Sequence, residues 1–377
     1  MKNALAPNLH YDFGDYYVLW YSRSNSYSVV GSEFKAILDA YLSCDTITDF
    51  QNQLNALSKA EAKNIATQLS NYLEACNHNQ DSLPLSTMVF EEGHRQLSKS
   101  YKIGDSCFNL HADNQKVLNA LHPSLAHYEI PFTEHSDTTF DVYLTADHIN
   151  LFQDKMVLRS VPKADYHFIQ GKFHMEVANL IHNKHESDWL GTIHGSTITD
   201  GQSSIMFIGN SGSGKSTLCS LLVAHGYHLV SDDISPLGKA DGHIYYNPAA
   251  ISIKEKAFKV LEPFLPELKT LPEITFNPAK GVLKYLPCKQ PNQLHYPCQT
   301  LVLVNYTPDS ETLLEAISIK EALETIIPDS WLHPGIEHAQ AFLDWLGQLN
   351  FYKLTYGAME EMIETVSELF KKQNHLS

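Results

Sequence analysis

The sequence predicts a mixed α/β protein in two unequal parts, a small α+β unit over residues 1–80 and a larger α/β unit over residues 84–377. In the first part, a short alternating aromatic run precedes segments of helical periodicity. In the second, the apolar run 204–208 leads through a glycine-rich turn into another helical segment, which is the order of a buried strand, a turn and a helix. We expect this α/β core to begin at about residue 190.

Composition and charge limit the classes of function. The 377 residues are 43% hydrophobic and 19% charged, which is enough apolar material for substantial cores. The formal net charge of −16 disfavours broad attraction to nucleic acid or to anionic lipid, so we expect neither partner. Arginine occurs only at positions 23, 95 and 159. A bound anion must therefore be met mainly by lysine, backbone N–H groups or a metal ion.

The chain has no apolar run of the roughly 20 residues that a membrane helix needs, and residues 1–7 have no signal-peptide core. We therefore expect a cytoplasmic protein. The six cysteines form no C-x-x-C pair and no framework spacing, which predicts free thiols. None of the 20 histidines stands in an H-E-x-x-H motif, so the sequence indicates no zinc helix of that type.

The amino-terminal part predicts a hairpin followed by three helices. Alternating runs at Tyr16–Tyr21 and Tyr27–Val30 flank a polar turn, and a helical stripe follows from Phe34 to Leu42. Capping-box patterns predict where two more helices begin: Thr46 with Asp49, and Ser58 with Glu61. A hairpin with three short helices is a winged-helix-like arrangement. The polar residues 78–82 are the expected linker.

Residues 15–78, with the segment "SYSVVGSEFKAILDAYLSCDTITDFQNQL", resemble the PqqD-like peptide-recognition domains of enzymes that modify ribosomally made peptides. The resemblance implies that a leader peptide adds as an extra strand beside the hairpin. The alternative interpretation is a small accessory or dimerisation domain.

A phosphate-binding motif dominates the second part. The segment 209–217 fits G-x-x-x-x-G-K-[ST] in full, and a helix is predicted from Lys215 to about His225. The glycines allow backbone N–H groups to face phosphate oxygens, Lys215 can reach the outer phosphates, and the Ser216 hydroxyl can bind Mg²⁺. An accidental glycine–serine match is the alternative. The predicted nucleotide-binding residues are Gly209, Asn210, Ser211, Gly212, Ser213, Gly214, Lys215, Ser216 and Thr217.

Two adjacent carboxylates follow the next predicted strand, 227–231, only one short helix after Lys215. Asp232 and Asp233 can divide two tasks, one binding Mg²⁺ and the other accepting a proton from an attacking hydroxyl. A surface Asp-Asp turn is the alternative interpretation.

The segment "TIHGSTITDGQSSIMFIGNSGSGKSTLCSLLVAHGYHLVSDDISPL", residues 192–237, resembles the HPr kinase superfamily, which shares the phosphoenolpyruvate-carboxykinase-type nucleotide fold. Weaker similarity runs from about residue 86 to the end and includes "NPAAISIKEKAF", "NPAKGVLKYLP" and "FYKLTYG". The resemblance implies that Lys215 and Ser216 bind the phosphates and Mg²⁺ of a nucleotide. It also implies that Asp232 is the general base, that Asp233 is its metal-side partner, and that His194 orients the acidic pair.

Three further residues have two interpretations each. His194 is either a neighbour of the acidic pair or a hydrogen-bonded core histidine. Lys254 and Lys280 are either anion contacts or solvated charges. Thr217 stands where HPr kinases usually carry an acidic residue, and their glycine-rich stretch linked to phosphorylase activity is missing, so a dedicated kinase is predicted.

The sequence therefore predicts an ATP- and Mg²⁺-dependent kinase for a Ser or Thr hydroxyl of a peptide or protein, with a ribosomally made precursor peptide as the expected partner. Two alternatives stay open: a kinase for a small hydroxylated metabolite, and a nucleotide-dependent binding or switch protein without transfer activity.

Overall fold

The structure is a computed structural model that describes residues 2–54, 58–78, 88–275 and 281–376. It is a mixed α/β protein with several sheets, as the sequence predicts. The expected linker, apart from His78, and the boundary between residues 80 and 84 lie outside the described residues, so the division into two domains stays a prediction. All six cysteines are free, as predicted.

The amino-terminal unit contains a three-stranded antiparallel sheet in the order β1-β2-β3, followed by three helices. The predicted hairpin, helices and both capping boxes are confirmed, whereas the first strand was not predicted. The elements are β1 (Leu9–Asp12), β2 (Tyr16–Tyr21), β3 (Ser26–Gly31), α1 (Ser32–Ser43), α2 (Ile47–Gln53) and α3 (Lys59–Cys76).

This small sheet is covered on both faces. Leu19 and Tyr21 of β2 pack against the three helices, while Val18 belongs to a core shared with the rest of the chain. Tyr27 meets Phe342 edge-on, with ring centroids 5.4 Å apart. The amino-terminal unit is therefore anchored to the larger part through buried apolar contacts.

A second lobe consists of a six-stranded sheet, order β6-β4-β5-β7-β8-β9, with two helices packed on it. Its elements are β4 (Leu97–Ile103), β5 (Ser106–Ala112), α4 (Gln115–Leu125), β6 (Glu129–Ile130), β7 (Thr138–Leu144), β8 (His148–Gln153), β9 (Met156–Pro162) and α5 (His167–His182).

A ten-stranded mixed sheet forms the largest layer, with the path β13-β11-β12-β18-β15-β14-β10-β20 and two further strands, β19 and β21. β12, β18 and β21 are parallel neighbours, and the others pair antiparallel. Its strands are β10 (Trp189–His194), β11 (Ser196–Thr199), β12 (Ser204–Ile208), β13 (His228–Ser231), β14 (Ile234–Gly238), β15 (His243–Tyr245), β18 (His295–Tyr306), β19 (Leu313–Ala316), β20 (Trp331–Leu332) and β21 (Asn350–Tyr356).

Helices cover both faces of this sheet, because alternate residues of β12 enter different cores. Ile205 and Phe207 pack with α6, α7 and α10, and Met206 and Ile208 pack on the side of α8 and α9. A two-stranded ribbon, β16–β17, lies next to α6. These elements are α6 (Lys215–Ala224), β16 (Ile251–Lys254), α7 (Glu255–Leu261), β17 (Leu283–Leu286), α8 (Ile319–Ile326), α9 (Ile336–Leu346) and α10 (Met359–Leu376).

Within the described ranges, no helix combines the length and the apolar character that crossing a membrane would require.

Candidate functional site

The segment 209–214 joins the end of β12 to the start of α6 as a turn that requires glycine at two positions. Gly209 and Gly214 have φ angles of 148° and 103°, in the region that L side chains rarely adopt. A Cβ atom at Gly209 would lie 2.6 Å from Ser213 Oγ, and one at Gly214 would lie 3.1 Å from the Tyr356 hydroxyl. The sequence thus fixes a tight backbone path between strand and helix.

The turn is anchored on one side and open on the other. The Tyr306 N–H at the end of β18 donates to the Ser213 carbonyl oxygen at 3.0 Å, whereas Asn210, Ser211 and Gly212 are exposed. Gly214 is the N-cap of α6 and offers no side-chain cap. Backbone N–H groups in the first turn of a helix have no intrahelical partner, so the amino-terminal end of α6 favours an anion.

Lys215 lies across the turn. Its side chain is buried, and Nζ donates to the carbonyl oxygens of Gly209 at 2.5 Å and Asn210 at 3.3 Å. Ser216 and Thr217 are half-buried in the first turn of α6. A phosphate at the turn would offer the Lys215 ammonium a stronger, charge-assisted acceptor than these carbonyl groups.

The two predicted acidic residues form a tight turn between β13 and β14. The Ile234 N–H donates to the Asp232 carbonyl oxygen at 2.7 Å, and Asp233 between them has a φ of 61°. A non-glycine residue at positive φ in such a three-residue turn is strained, a feature that is concentrated at functional sites.

Asp232 is buried and held by two donors. Its Oδ1 accepts the Ser196 hydroxyl at 2.7 Å, and its Oδ2 accepts the Ser252 N–H at 3.0 Å. Burial, followed by the charge of Asp233, raises the pKa of Asp232 to about 7, although these hydrogen bonds and the charge of Lys215 oppose the rise. A carboxylate that titrates near neutrality beside a lysine has the properties of a general base.

Asp233 differs from its neighbour because its side chain is half-exposed and, among the described residues, accepts no hydrogen bond. The charge of Asp233 acts on Tyr285 of β17. Burial, with contributions from Asp233, Tyr166 and Asp232, raises the pKa of the Tyr285 hydroxyl. The Asp233 carboxylate is therefore close enough to β17 to act electrostatically on Tyr285.

The remaining predicted residues have different positions. The backbone of His194 pairs with Ile234, next to the acidic turn, and its N–H donates to Ser330 Oγ at 2.9 Å. Over the described ranges, the His194 side chain has no hydrogen bond with either carboxylate, so its orienting role stays a prediction. Lys254 Nζ donates to Ser211 Oγ at 2.8 Å, which brings this predicted anion contact to the turn. Lys280 lies outside the described residues.

Sequence reasoning missed His174, a buried histidine of α5. Its Nε2 lies 3.2 Å from Ser124 Oγ, and its Nδ1 has no hydrogen-bond partner among the residues that the structure describes. Burial lowers the pKa of His174 to about 4, and the charge of Asp233 acts in the opposite direction. A neutral imidazole from the six-stranded lobe thus lies near the acidic turn. No local pattern in the sequence indicates this, since the contact depends on how two lobes pack.

The residues present fit a magnesium ion. Ser216 offers a hydroxyl oxygen and Asp233 offers a carboxylate oxygen, the hard donors that Mg²⁺ takes. The Lys215 charge lowers the Asp232 pKa, so the turn and the acidic pair belong to one electrostatic environment. These residues form a candidate phosphate site with a buried carboxylate of raised pKa and further oxygen donors near it.

No family model and no curated protein matches this chain. Among solved structures, the Hpr(Ser) kinase/phosphatase from Coxiella burnetii is similar, with 13% sequence identity and a TM-score of 0.21 over 49% of this chain and 96% of that chain.

Proposed function

We propose that the protein is an ATP- and Mg²⁺-dependent kinase that transfers the γ-phosphoryl group to a hydroxyl group. The observation that carries this proposal is the position of Asp232, a buried carboxylate of raised pKa that shares its surroundings with Lys215 of the glycine-rich turn. The same function is implied by the resemblance of residues 192–237 to the HPr kinase superfamily.

The turn and its lysine bind the phosphates in this proposal. Backbone N–H groups of residues 209–216 and the Lys215 ammonium meet phosphate oxygens, and Lys254 adds a cation at the exposed side of the turn. Ser216 and Asp233 would hold Mg²⁺, which when bound offsets negative charge on the phosphate oxygens. When the nucleotide binds, Lys215 Nζ leaves the carbonyl oxygens of Gly209 and Asn210 and contacts the phosphates instead.

Asp232 accepts the proton of the attacking hydroxyl. The oxygen of the acceptor forms a bond to phosphorus as the bond between phosphorus and the leaving ADP oxygen breaks, and the proton moves to the Asp232 carboxylate. With a pKa of about 7, a large fraction of Asp232 is ionised at neutral pH and can take this proton. The Ser196 hydroxyl and Ser252 N–H hold the carboxylate in one orientation.

The proposed acceptor is a Ser or Thr of a precursor peptide held by the amino-terminal unit. In the three-stranded sheet, β3 is an edge strand, since it pairs with β2 on one side alone within the described part of the chain. An edge strand offers unpaired N–H and C=O groups to an added strand. Tethering a leader peptide there raises the effective concentration of its acceptor residue.

Mass spectrometry of a candidate precursor peptide after incubation with ATP and Mg²⁺ tests the kinase proposal. We expect a gain of one phosphate on Ser or Thr with the wild-type protein, and about 10²- to 10⁴-fold slower transfer with Asp232→Asn. Asp344→Asn, a change at an exposed aspartate of α9, is the matched control and retains the wild-type rate. Equal rates for Asp232→Asn and the control would refute the base assignment, and transfer to a metabolite pool alone would favour the metabolite-kinase alternative.

Backbone-methylated peptides test the recognition mode with the full-length protein. If the leader adds as a strand, N-methylation at alternate residues that face β3 abolishes binding, whereas N-methylation at the intervening residues leaves the affinity nearly unchanged. Equal losses for the two methylation patterns would argue against strand addition.

A further inference from the structure

Three side chains with metal-binding atoms converge at the end of β18 that is far from the glycine-rich turn. Asp241 lies just before β15, His243 begins β15, and His295 begins β18. The Nδ1 atoms of the two histidines are 2.8 Å apart, and Asp241 Oδ2 lies 3.9 Å from His243 Nδ1 and 3.7 Å from His295 Nδ1. Within the described ranges, this is the one group of three or more such residues whose ligand atoms lie this close.

The sheet places the two imidazoles on one face. Tyr245 pairs directly with His295 in the antiparallel register, so His243, two residues before Tyr245, is the diagonal neighbour of His295 on the same face. The Tyr245 and His295 rings stack with centroids 4.7 Å apart and an interplanar angle of 17°. Pairing and stacking together hold His295 beside His243.

Asp241 is held toward the two imidazoles by neighbouring donors. The His243 N–H donates to Oδ1 at 3.0 Å, and the Tyr245 hydroxyl donates to Oδ2 at 2.8 Å. A Cβ atom at Gly238 would lie 2.7 Å from Asp241 Oδ1, so glycine there permits the close approach. Partners that orient a ligating carboxylate in this way are typical of metal sites.

The geometry suits a small cation. Two ring nitrogens at 2.8 Å must share one proton, because two N–H groups or two lone pairs facing each other repel. Ligand atoms about 2.0–2.1 Å from a tetrahedral metal ion lie roughly 3.3 Å apart. The three observed separations bracket this value, so small side-chain rotations bring all three atoms to one ion. The side chains are 27%, 29% and 43% exposed for Asp241, His243 and His295, which leaves solvent access for a further ligand.

We propose that Asp241, His243 and His295 bind a divalent transition-metal ion of the zinc type, with two imidazole nitrogens, one carboxylate oxygen and an open coordination position. Imidazole with carboxylate suits zinc and its neighbours, whereas Mg²⁺ prefers oxygen ligands alone. The site is independent of the proposed kinase function. His295 and Tyr306 lie at opposite ends of β18, roughly 35 Å apart at about 3.3 Å per residue.

Zinc titration of the full-length, metal-stripped protein in excess Mg²⁺ tests the site by calorimetry. We expect one saturable site, with at least about 10-fold weaker affinity in His243→Gln and in His295→Gln, since losing even an orienting partner of a ligand costs about 10- to 100-fold. Tyr245→Phe, which removes such a partner, weakens binding less than either histidine change. Thermal unfolding gives a second readout, because zinc raises the Tm of the wild-type protein by mass action and leaves the Tm of the histidine variants nearly unchanged.

Two control variants separate this site from other zinc ligands. His333→Gln alters a different stacked histidine pair, with ring centroids 3.6 Å apart, and retains wild-type zinc affinity. Asp233→Asn, at the proposed kinase site, also retains it. The proposal is overturned if the wild-type protein shows no saturable zinc binding, if both histidine variants bind as the wild type does, or if Asp233→Asn removes the binding.

Discussion

The two ends of β18 present two different kinds of candidate site. At the Tyr306 end, a glycine-rich turn offers backbone N–H groups, a buried lysine and a buried carboxylate. At the His295 end, three partly exposed side chains from two chain segments point at one another. The first arrangement is preformed by the backbone, and the second depends on individual side chains.

This difference determines which substitutions matter. At the Tyr306 end, most phosphate contacts in our proposal come from main-chain groups, so function is sensitive to Lys215, to the acidic pair and to the glycines that shape the turn. At the His295 end, each of the three side chains supplies one of the three proposed metal ligands. The two ends lie far apart on one strand, so we expect changes at them to act additively.

Substitutions at the two ends of β18 should affect different properties of the protein. Asp232→Asn lowers the rate of phosphoryl transfer by about 10²- to 10⁴-fold and leaves zinc affinity unchanged. His243→Gln lowers zinc affinity by at least about 10-fold and leaves the transfer rate unchanged. Transfer assays and zinc titrations on both variants and on the double variant measure this. A fall in transfer in His243→Gln comparable with that in Asp232→Asn would show that the two ends are coupled.

The pH dependence of stability is a second test of the buried end. Folded Asp232 has a pKa of about 7 against its usual value near 3.8, so the folded state retains a proton that the unfolded chain loses between these values. The contribution of this group to stability therefore falls as the pH rises from about 4 to about 7. Relative to the wild type, Asp232→Asn gains stability over that interval, by about 2–4 kcal/mol, and the gain is constant above pH 7.

Chemical denaturation of both proteins at several pH values measures this gain, and Asp344→Asn is the control. A difference between Asp232→Asn and the wild type that does not change with pH would contradict the raised pKa.

The shape of the turn can be tested with two glycines of similar backbone angle. Gly214 and Gly226 have φ angles of 103° and 95°, but a Cβ atom at Gly226 would meet no atom of the described residues within 4 Å. Both Gly→Ala changes incur backbone strain, and Gly214→Ala adds the contact with Tyr306 and Tyr356. We expect Gly214→Ala to lose about 1–3 kcal/mol more unfolding free energy than Gly226→Ala. Equal losses would indicate that the turn yields easily at this point.

The smallest expected effect compares one tyrosine hydroxyl from each end. The Tyr245 hydroxyl donates to Asp241, whereas the buried Tyr356 hydroxyl near the turn has no hydrogen-bond partner within the described part of the chain. Tyr245→Phe should therefore cost about 1 kcal/mol more in unfolding free energy than Tyr356→Phe, which we expect to be neutral or slightly stabilising. Urea denaturation of the two variants checks the order, and a larger loss in Tyr356→Phe would contradict it.

The two ends of β18 also differ in how much of their structure could be predicted from the sequence. The strand, turn and helix around residues 204–224 follow from a contiguous pattern, because glycines and an apolar run determine local geometry. The acidic pair is likewise adjacent in the chain. The capping boxes at Thr46 and Ser58 have the same local character.

Features that depend on distant segments could not be predicted. His174 approaches Asp233 because two lobes pack together, and the Ser252 N–H meets Asp232 because the β16–β17 ribbon folds over the acidic turn. His295 follows His243 by more than fifty residues, and only the pairing of β15 with β18 joins them. Periodicity and motif spacing contain no information on such pairings.

In the proposed function, the glycine-rich turn holds a triphosphate while Asp232 serves in the chemical step. Equilibrium titration of Mg²⁺–ATP into the wild type, Lys215→Ala and Asp232→Asn tests it directly. We expect saturable binding to the wild type, about 10- to 100-fold weaker binding to Lys215→Ala, and nearly unchanged binding to Asp232→Asn. Absence of ATP binding to the wild type, or equal affinity in Lys215→Ala, would contradict it.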